Sequence, residues 1–360
     1  MRPTFHSLEV ADIRRETKDC CSIAFSVPEE LKEMYQFTQG QYLTLKTMIN
    51  DEEVRRSYSI CVSPLEGELR VAVKQVPHGK FSTFANQVLK VGDRLDVMNP
   101  MGTFFTEVSP DQSKKYIGVV AGSGITPVMS IMKTVLQTEQ NSRFTLIYGN
   151  KNTKSIIFKE QIEALKNKYM NRLDVHYVLS RESLESPLYN GRIDGDKIRS
   201  FARSVISISD TDEVFICGPE TMIFAVKDAV GEEGLSDQQI HFELFTTAGS
   251  TKEKQIQTNS DEELDRSISD IAIHLDGKSF SFELEKNSES ILDAALEHGA
   301  DLPFACKGGV CCTCKAKLLS GEVDMKVNYA LEEEEVSAGY ILTCQSYPIS
   351  EKVAIEFDQY

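Results

Sequence analysis

The sequence predicts a multidomain fold: an antiparallel β-barrel, then an α/β domain built on a parallel sheet, then a small α+β domain. Three observations carry that prediction. Residues 1–108 hold six short β-rich runs separated by turn residues, with few helical stretches, which is the pattern of a small barrel. After Pro110 apolar strands alternate with helical periodicity, which implies a parallel sheet with helices on both faces. Five of the nine cysteines (Cys306, Cys311, Cys312, Cys314 and Cys344) lie in the last 55 residues. A chain of 360 residues is long enough for two or three domains with cores of their own.

The barrel strands are expected at His6–Thr17, Ser22–Val27, Tyr42–Ile49, Val54–Cys61, Glu68–Val76 and Asp93–Asn99. The α/β domain, residues 109–245, has candidate strands at Tyr116–Ala121, Phe144–Tyr148, Leu173–Leu179, Glu213–Cys217 and Gln239–Phe245. Helices are expected from Pro127 and near Phe158–Tyr169. Residues 246–270 are rich in Thr, Ser, Lys, Glu and Asp and almost empty of apolar residues, so they read as a linker that cannot bury a core. From Ile271 to Tyr360 a third domain opens on a hairpin: Ile271, Ile273 and Leu275 alternate, Asp276-Gly277 turns, and Phe280, Phe282 and Leu284 alternate back. A helix is expected at Ser290–His298.

Composition excludes several classes. The net charge of −16 argues against nucleic acid as a partner, since a phosphate-binding surface needs clustered Lys and Arg. An odd cysteine count cannot be fully paired, and its clustering suggests metal ligation in a reducing compartment. Residues 1–19 carry charges throughout and lack the apolar region of a secretory signal. Tyr116–Met132 is free of charge but contains Gly122, Gly124, Thr126, Pro127 and Ser130 and falls short of a membrane span. A cytoplasmic protein with no membrane partner is expected.

The most specific motif is Cys306-x4-Cys311-x2-Cys314, with Cys344 after a further 29 residues. Soft thiolates at this spacing are the plant-type ligand set of a [2Fe–2S] cluster. Gly308 and Gly309 let the backbone come close, so that amides can donate to sulfur. A structural zinc site fits less well, because zinc knuckles pair their ligands as C-x2-C. Cys312 lies between two ligands and reads as a bystander.

A second constellation is Arg56-Ser57-Tyr58-Ser59 on a predicted strand. A flavin needs a cation for its phosphates, an aromatic face for its ring and a small donor near N5. A period of two puts Arg56 and Tyr58 on one strand face. Val73-Lys74 follows, and then Gly79-Lys80-Phe81-Ser82 opens a helical stretch whose free amides suit a pyrophosphate. A third constellation, Gly122-Ser123-Gly124-Ile125-Thr126-Pro127, follows a buried strand and opens a helix. Its glycines permit close approach and its amides carry positive potential. Cys217-Gly218-Pro219 ends the fourth predicted strand of the domain, at the edge where open α/β sheets bind ligands.

Together these motifs, their order and their separation resemble the ferredoxin–NADP reductase superfamily, and Ile271–Tyr360 resembles a plant-type ferredoxin with its β-grasp fold. The resemblance implies FAD in the barrel, with FMN the rival. Arg56 and Ser82 would hold phosphate, Tyr58 would stack on the ring and Ser59 would contact N5. Ser57, Val73, Lys74, Gly79, Lys80 and Phe81 would complete the flavin site. Gly122, Ser123, Gly124, Thr126, Pro127, Cys217, Gly218 and Pro219 would bind the nicotinamide dinucleotide. Tyr58, Ser59 and Cys217 would be the catalytic set, with Glu243 and Phe245 beside the flavin. No acidic residue ends the second strand of the α/β domain, whereas Ser180-Arg181 ends the third, with Lys151 and Lys154 near; this favours NADPH, with NADH possible. The acidic third domain, with sixteen acidic and seven basic residues, would suit a basic partner surface.

Over its whole length, at Arg55–Cys61, Ala121–Pro127, Phe144–Asn150, Gly191–Gly195, Phe215–Pro219 and Ser290–Cys314, the chain is similar to reductase components of phenylacetyl-CoA epoxidases. That resemblance implies electron flow from NADPH through FAD and the cluster to di-iron oxygenase subunits. A reductase of another aromatic or alkane oxygenase is the alternative, and an electron carrier working through the third domain alone is a further one.

Overall fold

The computed structural model describes residues 3–245, 267–275 and 277–358. Two compact units result: Phe5–Phe245, and a second one holding the C-terminal sheet. Among the described residues no helix is long and apolar enough to cross a membrane.

In the first unit, β1 (Phe5–Thr17), β2 (Cys20–Ser26), β3 (Tyr42–Ile49), β4 (Glu52–Ser59), β5 (Leu69–Lys74) and β6 (Arg94–Met98) form one sheet in the order β4-β3-β6-β1-β2-β5. Ile60 bridges Val71 and Cys61 N–H donates to Arg70 O, so the two edges of the sheet meet and the barrel closes. Alternation fills its interior with Leu8, Val10, Ile23, Leu43, Leu45, Val71, Val73 and Val97, all wholly buried. Helix α1 (Lys80–Gln87) adds Phe81 to that core.

The parallel sheet runs β7 (Lys115–Ala121), β8 (Arg143–Asn150), β9 (Leu173–Leu179), β10 (Glu213–Gly218) and β11 (Ile240–Leu244), in the order β11-β10-β7-β8-β9. Its helices are α2 (Ile125–Thr138), α3 (Lys159–Lys168), α4 (Gly195–Ser204) and α5 (Glu220–Glu232). β7 and β10, flanked on both sides, are apolar almost throughout, as an inner parallel strand must be. The predicted strands of both sheets are all present; α4 and α5 are additions that the sequence reading does not assign.

Barrel and parallel sheet are interlocked. Ser130 Oγ on α2 donates to Val62 O at 2.6 Å, Thr134 Oγ1 to Ser63 Oγ at 2.9 Å, and Lys133 Nζ meets Glu66 Oε2 at 3.1 Å. Gln39 Nε2 donates to Thr106 O, and Thr106 Oγ1 to Glu213 Oε1 at 2.9 Å. Apolar packing is continuous as well, with Cys20, Cys61, Ala72 and Phe104 joining the core of the parallel sheet.

The second unit contains β12 (Ile268–Leu275), β13 (Lys278–Glu285), α6 (Ile291–Glu297), β14 (Lys315–Ser320), β15 (Val323–Met325), α7 (Glu333–Ser337), β16 (Tyr340–Leu342), β17 (Ser346–Pro348) and β18 (Lys352–Glu356). The main sheet runs β13-β12-β18-β14-β16, with β12 and β18 parallel and the other pairs antiparallel. The predicted hairpin is β12–β13, with Leu275 opposite Lys278, and Ser290 caps α6 by accepting from Asp293 N–H. One boundary is corrected. The composition of 246–270 reads as linker to its end, but β12 begins at Ile268, because Ser269 and Ile271 are buried and Asp270 N–H pairs with Glu351 O. Residues 246–266 of that stretch lie outside the described residues.

Candidate functional site

Four thiols converge in the second unit. Cys311 Sγ lies 3.1 Å from Cys306 Sγ, and Cys344 is close enough to accept or donate to both Cys306 and Cys314. Long-range contacts bring the distant fourth cysteine home. Thr343 donates from both N–H and Oγ1 to Cys314 O, at 3.2 and 3.0 Å, while Gln345 Nε2 donates to Lys307 O at 3.0 Å. Gly308 N–H donates to Cys306 Sγ at 3.3 Å. Donors from Cys311, Cys344 and the Gly308 and Val310 amides hold the Cys306 thiol well below its usual range, while its proximity and burial push the Cys311 and Cys344 thiols well up. Gly309 is required as glycine: φ is +73°, and a methyl group there would strike Val327 O.

That donor set fits a [2Fe–2S] centre, in which the ligands are shared between two irons. The ligand spacing, with four residues rather than two between the first pair of thiols, is what sets it apart from a zinc knuckle. Cys312 donates instead to Ala330 O at 3.1 Å and burial pushes its thiol up to about 12.

In the first unit a cleft of about 460 Å3 opens at the carboxyl ends of the parallel strands. Gly122, Ser123 and Gly124 line it, as do Gly218, Pro219, Ser180, Arg181, Lys151 and Lys74. The Gly122–Gly124 turn leads directly into α2, with no side chain capping its first amides. Tyr148 on β8 donates to Gly122 O at 2.9 Å and fixes the turn. Gly124 has a second reason to be glycine. Any Cβ would collide with the Cys217 carbonyl, so the absence of a side chain lets α2 seat against the end of β10. Thr126 and Pro127 are buried within the first turn, Thr126 Oγ1 donating to Ser123 O at 3.0 Å.

The barrel residues fall into two groups. On β4 the Tyr58 ring lies 5.4 Å from Phe81, and Ser59, on the opposite face, donates to Glu243 Oε2 at 3.1 Å. Arg56 is half-buried and donates to Arg55 O, while Ser57 Oγ lies 3.1 Å from Thr44 Oγ1. Val73 is wholly buried and its carbonyl accepts from Asn86. The turn before α1 is closed by Ser82 Oγ, which accepts from Val76 N–H and donates to Gly79 O. The first-turn amides of α1 are therefore what that helix end offers an anion. Lys80 is exposed and paired with Glu52.

Cys217 is wholly buried and stands opposite Glu243 in the β10–β11 register. Burial and the neighbouring Glu243 push its thiol well up. Glu243 keeps some exposure but is densely hemmed in, and burial raises its carboxyl to about 8 against the opposing pull of the Ser59 hydrogen bond. Phe245 lines the cleft. Lys154 is exposed and is not among the lining residues. Several cleft residues have no role assigned from the sequence: Gly149, Asn150, Gly191, Arg192, Ile193, Thr221 and Met222. The signal that could have found Thr221 and Met222 is their place in the first turn of a helix after a glycine-ended strand.

Known proteins agree with this geometry. Domain-family models match as oxidoreductase FAD-binding domain over residues 7–106, oxidoreductase NAD-binding domain over 119–228 and 2Fe-2S iron-sulfur cluster binding domain over 273–348. A 1,2-phenylacetyl-CoA epoxidase component of Escherichia coli is 45% identical over 99% of this chain and 98% of its own length. The ferredoxin reductase component of 3-ketosteroid-9-alpha-monooxygenase from Rhodococcus rhodochrous is 32% identical over 97% of this chain and 96% of its own. The reductase component of the glycine betaine monooxygenase of Chromohalobacter salexigens is 29% identical, with 98% and 95% covered. Among solved structures, phthalate dioxygenase reductase shares the fold, with a TM-score of 0.56, 21% identity and 98% of each chain covered.

Proposed function

Since the chain belongs to the FAD- and [2Fe–2S]-containing oxygenase reductases of the ferredoxin–NADP reductase superfamily, we propose that it supplies electrons from NADPH to a di-iron oxygenase that epoxidises phenylacetyl-CoA. The observation that carries this reading is the 45% identity to the epoxidase component of Escherichia coli across 99% of the chain. Bound FAD accepts a hydride as an electron pair and a [2Fe–2S] centre passes electrons on singly, so the protein's own task is to hold and orient them.

The residues divide that task. Arg56 and the α1 amides bind the flavin phosphates, and Tyr58, backed by Phe81, covers the ring. Ser59 holds a hydroxyl at the N5 edge with Glu243 behind it. A Glu243 carboxyl raised to about 8 is neutral near pH 7, so the Ser59–Glu243 pair can keep a proton there without placing a charge beside the ring. Gly122–Gly124 and the α2 amides take the pyrophosphate. Pro219 leads α5 to the same cleft, and Cys217 supports the nicotinamide end from the end of β10. Arg181, Lys151 and Arg192 supply the cations for a 2′-phosphate, which is what favours NADPH over NADH. Cys306, Cys311, Cys314 and Cys344 ligate the cluster. None of the nine cysteines is paired in a disulfide, which suits a reducing cytoplasm.

The test is reconstitution. The purified protein should oxidise NADPH with bleaching of its flavin, and catalytic turnover should require the phenylacetyl-CoA oxygenase subunits together with phenylacetyl-CoA. Turnover with the oxygenase of a steroid or betaine system instead would move the assignment to that class.

A further inference from the structure

Three cations share one wall of the dinucleotide cleft, and among the described residues none of them is paired with a carboxylate. Lys151 follows β8, Arg181 follows β9, and Arg192 returns to the same wall after ten intervening residues. A surface segment of that length would ordinarily leave its far end free to wander. Here the return is fixed. Asn190 bridges Leu179, and Gly191 N–H donates to Leu179 O at 2.9 Å.

The loop closes on one side chain. Asn190 Oδ1 accepts from Leu184 N–H at 2.7 Å, and Asn190 Nδ2 donates to Leu184 O at 2.7 Å and Ser186 O at 3.1 Å. The amide thus pairs with the Leu184 backbone much as a strand would, and no other residue type of that size offers both an acceptor and two donors. From outside, Lys197 on α4 donates to Pro187 O at 3.1 Å and Asn190 O at 2.8 Å. The near end is tied as well: Arg181 N–H donates to Lys151 O, and Glu182 accepts from Thr153 N–H and Oγ1 at 2.8 and 2.7 Å. Glu182 is thereby held on Thr153.

We propose that Asn190 is a positioning residue for nucleotide selection: by closing the 182–191 loop it holds Arg192 beside Arg181 and Lys151, so that the three together take the 2′-phosphate of NADPH. The inference rests on the NADPH reading above and adds to it the element that makes the subsite rigid. NADH lacks that phosphate, so disordering the loop should be felt by one nucleotide and scarcely by the other.

The experiment uses the full-length holoprotein with ferricyanide as acceptor and measures KM and kcat for both nucleotides. Asn190→Ala should raise KM for NADPH by roughly tenfold, the equivalent of one or two lost hydrogen bonds, while kcat and the KM for NADH stay near their original values. Lys197→Met, which removes only the outer pair of hydrogen bonds, should move KM in the same direction by less, and it decides the matter if Asn190→Ala does not fold. Equal changes for both nucleotides, or no change for either, overturn the proposal. Arg192→Ala separates it from its premise. If Arg192→Ala and Arg181→Ala weaken NADPH but the Asn190 and Lys197 variants do not, the loop has no positioning role and the subsite survives. If neither arginine matters, or the unaltered protein prefers NADH, both readings fall.

Discussion

The cluster loop and the dinucleotide cleft are built by opposite means. Three of the four converging thiols that we propose as ligands come from nine consecutive residues, and side chains would carry the chemistry there. The cleft draws its walls from Lys74 to Phe245, and most of what it offers is backbone: turn amides, helix ends, and glycines where side chains would obstruct. The difference teaches that a ligand-defined site fails all at once, whereas a scaffold-defined site fails by degrees.

Replacing one thiol should give the largest effect. Cys344→Ser is expected to abolish iron and labile sulfide in the purified protein, while flavin content and NADPH-driven bleaching persist. A protein that kept its full iron content would break the contrast. Gly124→Ala comes next. A methyl group has nowhere to go against Cys217, so α2 must shift; kcat/KM for NADPH should drop by about tenfold or more, with about 1–3 kcal/mol of stability lost to overpacking, readable by urea denaturation. An unchanged kcat/KM would mean that the glycine serves no close approach.

Glu243 sharpens the comparison by pH. Its folded value of about 8 lies above the ordinary 4.5, so the folded state binds the proton more tightly. The stability this contributes is complete below 4.5 and is lost as pH rises through about 8. Between pH 6 and pH 9 the unaltered protein should therefore lose ~2 kcal/mol relative to Glu243→Gln, measured by urea midpoints. Parallel slopes for the two proteins would disprove the raised value. The smallest effect is expected at Cys312→Ala, which removes one S–H···O contact and little volume. It should cost about 1 kcal/mol and leave iron content intact; loss of iron would make Cys312 a ligand.

The same contrast governs what was legible in the sequence. That Cys306, Cys311, Cys314 and Cys344 come together could be anticipated from spacing, because a ligand set is written in residue type. The barrel strands and the five parallel strands were also legible, since alternation and apolar runs are local signals. Arg192, Gly191 and Thr221 were not. They reach the cleft only because a parallel sheet gathers the ends of strands that are far apart in the chain. Ser82 was legible as a helix-opening residue, but its hydroxyl closes the turn at Val76 and Gly79, a local competition that sequence pattern does not reveal. The start of β12 was missed because Ser267, Ser269 and Asp270 around a single Ile268 continue the polar composition of the preceding stretch, and the segment becomes strand by pairing with Glu285 and Lys352.

The grip of α2 on the turn that follows β4 has a consequence for how such proteins can be recombined. Ser130, Lys133 and Thr134 meet Val62, Ser63 and Glu66, so a chimera that exchanged residues 1–108 alone would have to re-match these contacts, those of Thr106 with Glu213 and Ser59 with Glu243, and a shared apolar seam. Residues 5–245 would travel between relatives as a single cassette. A graft joined after Phe245 would keep that cassette whole, and a graft joined at Val108 would cut it.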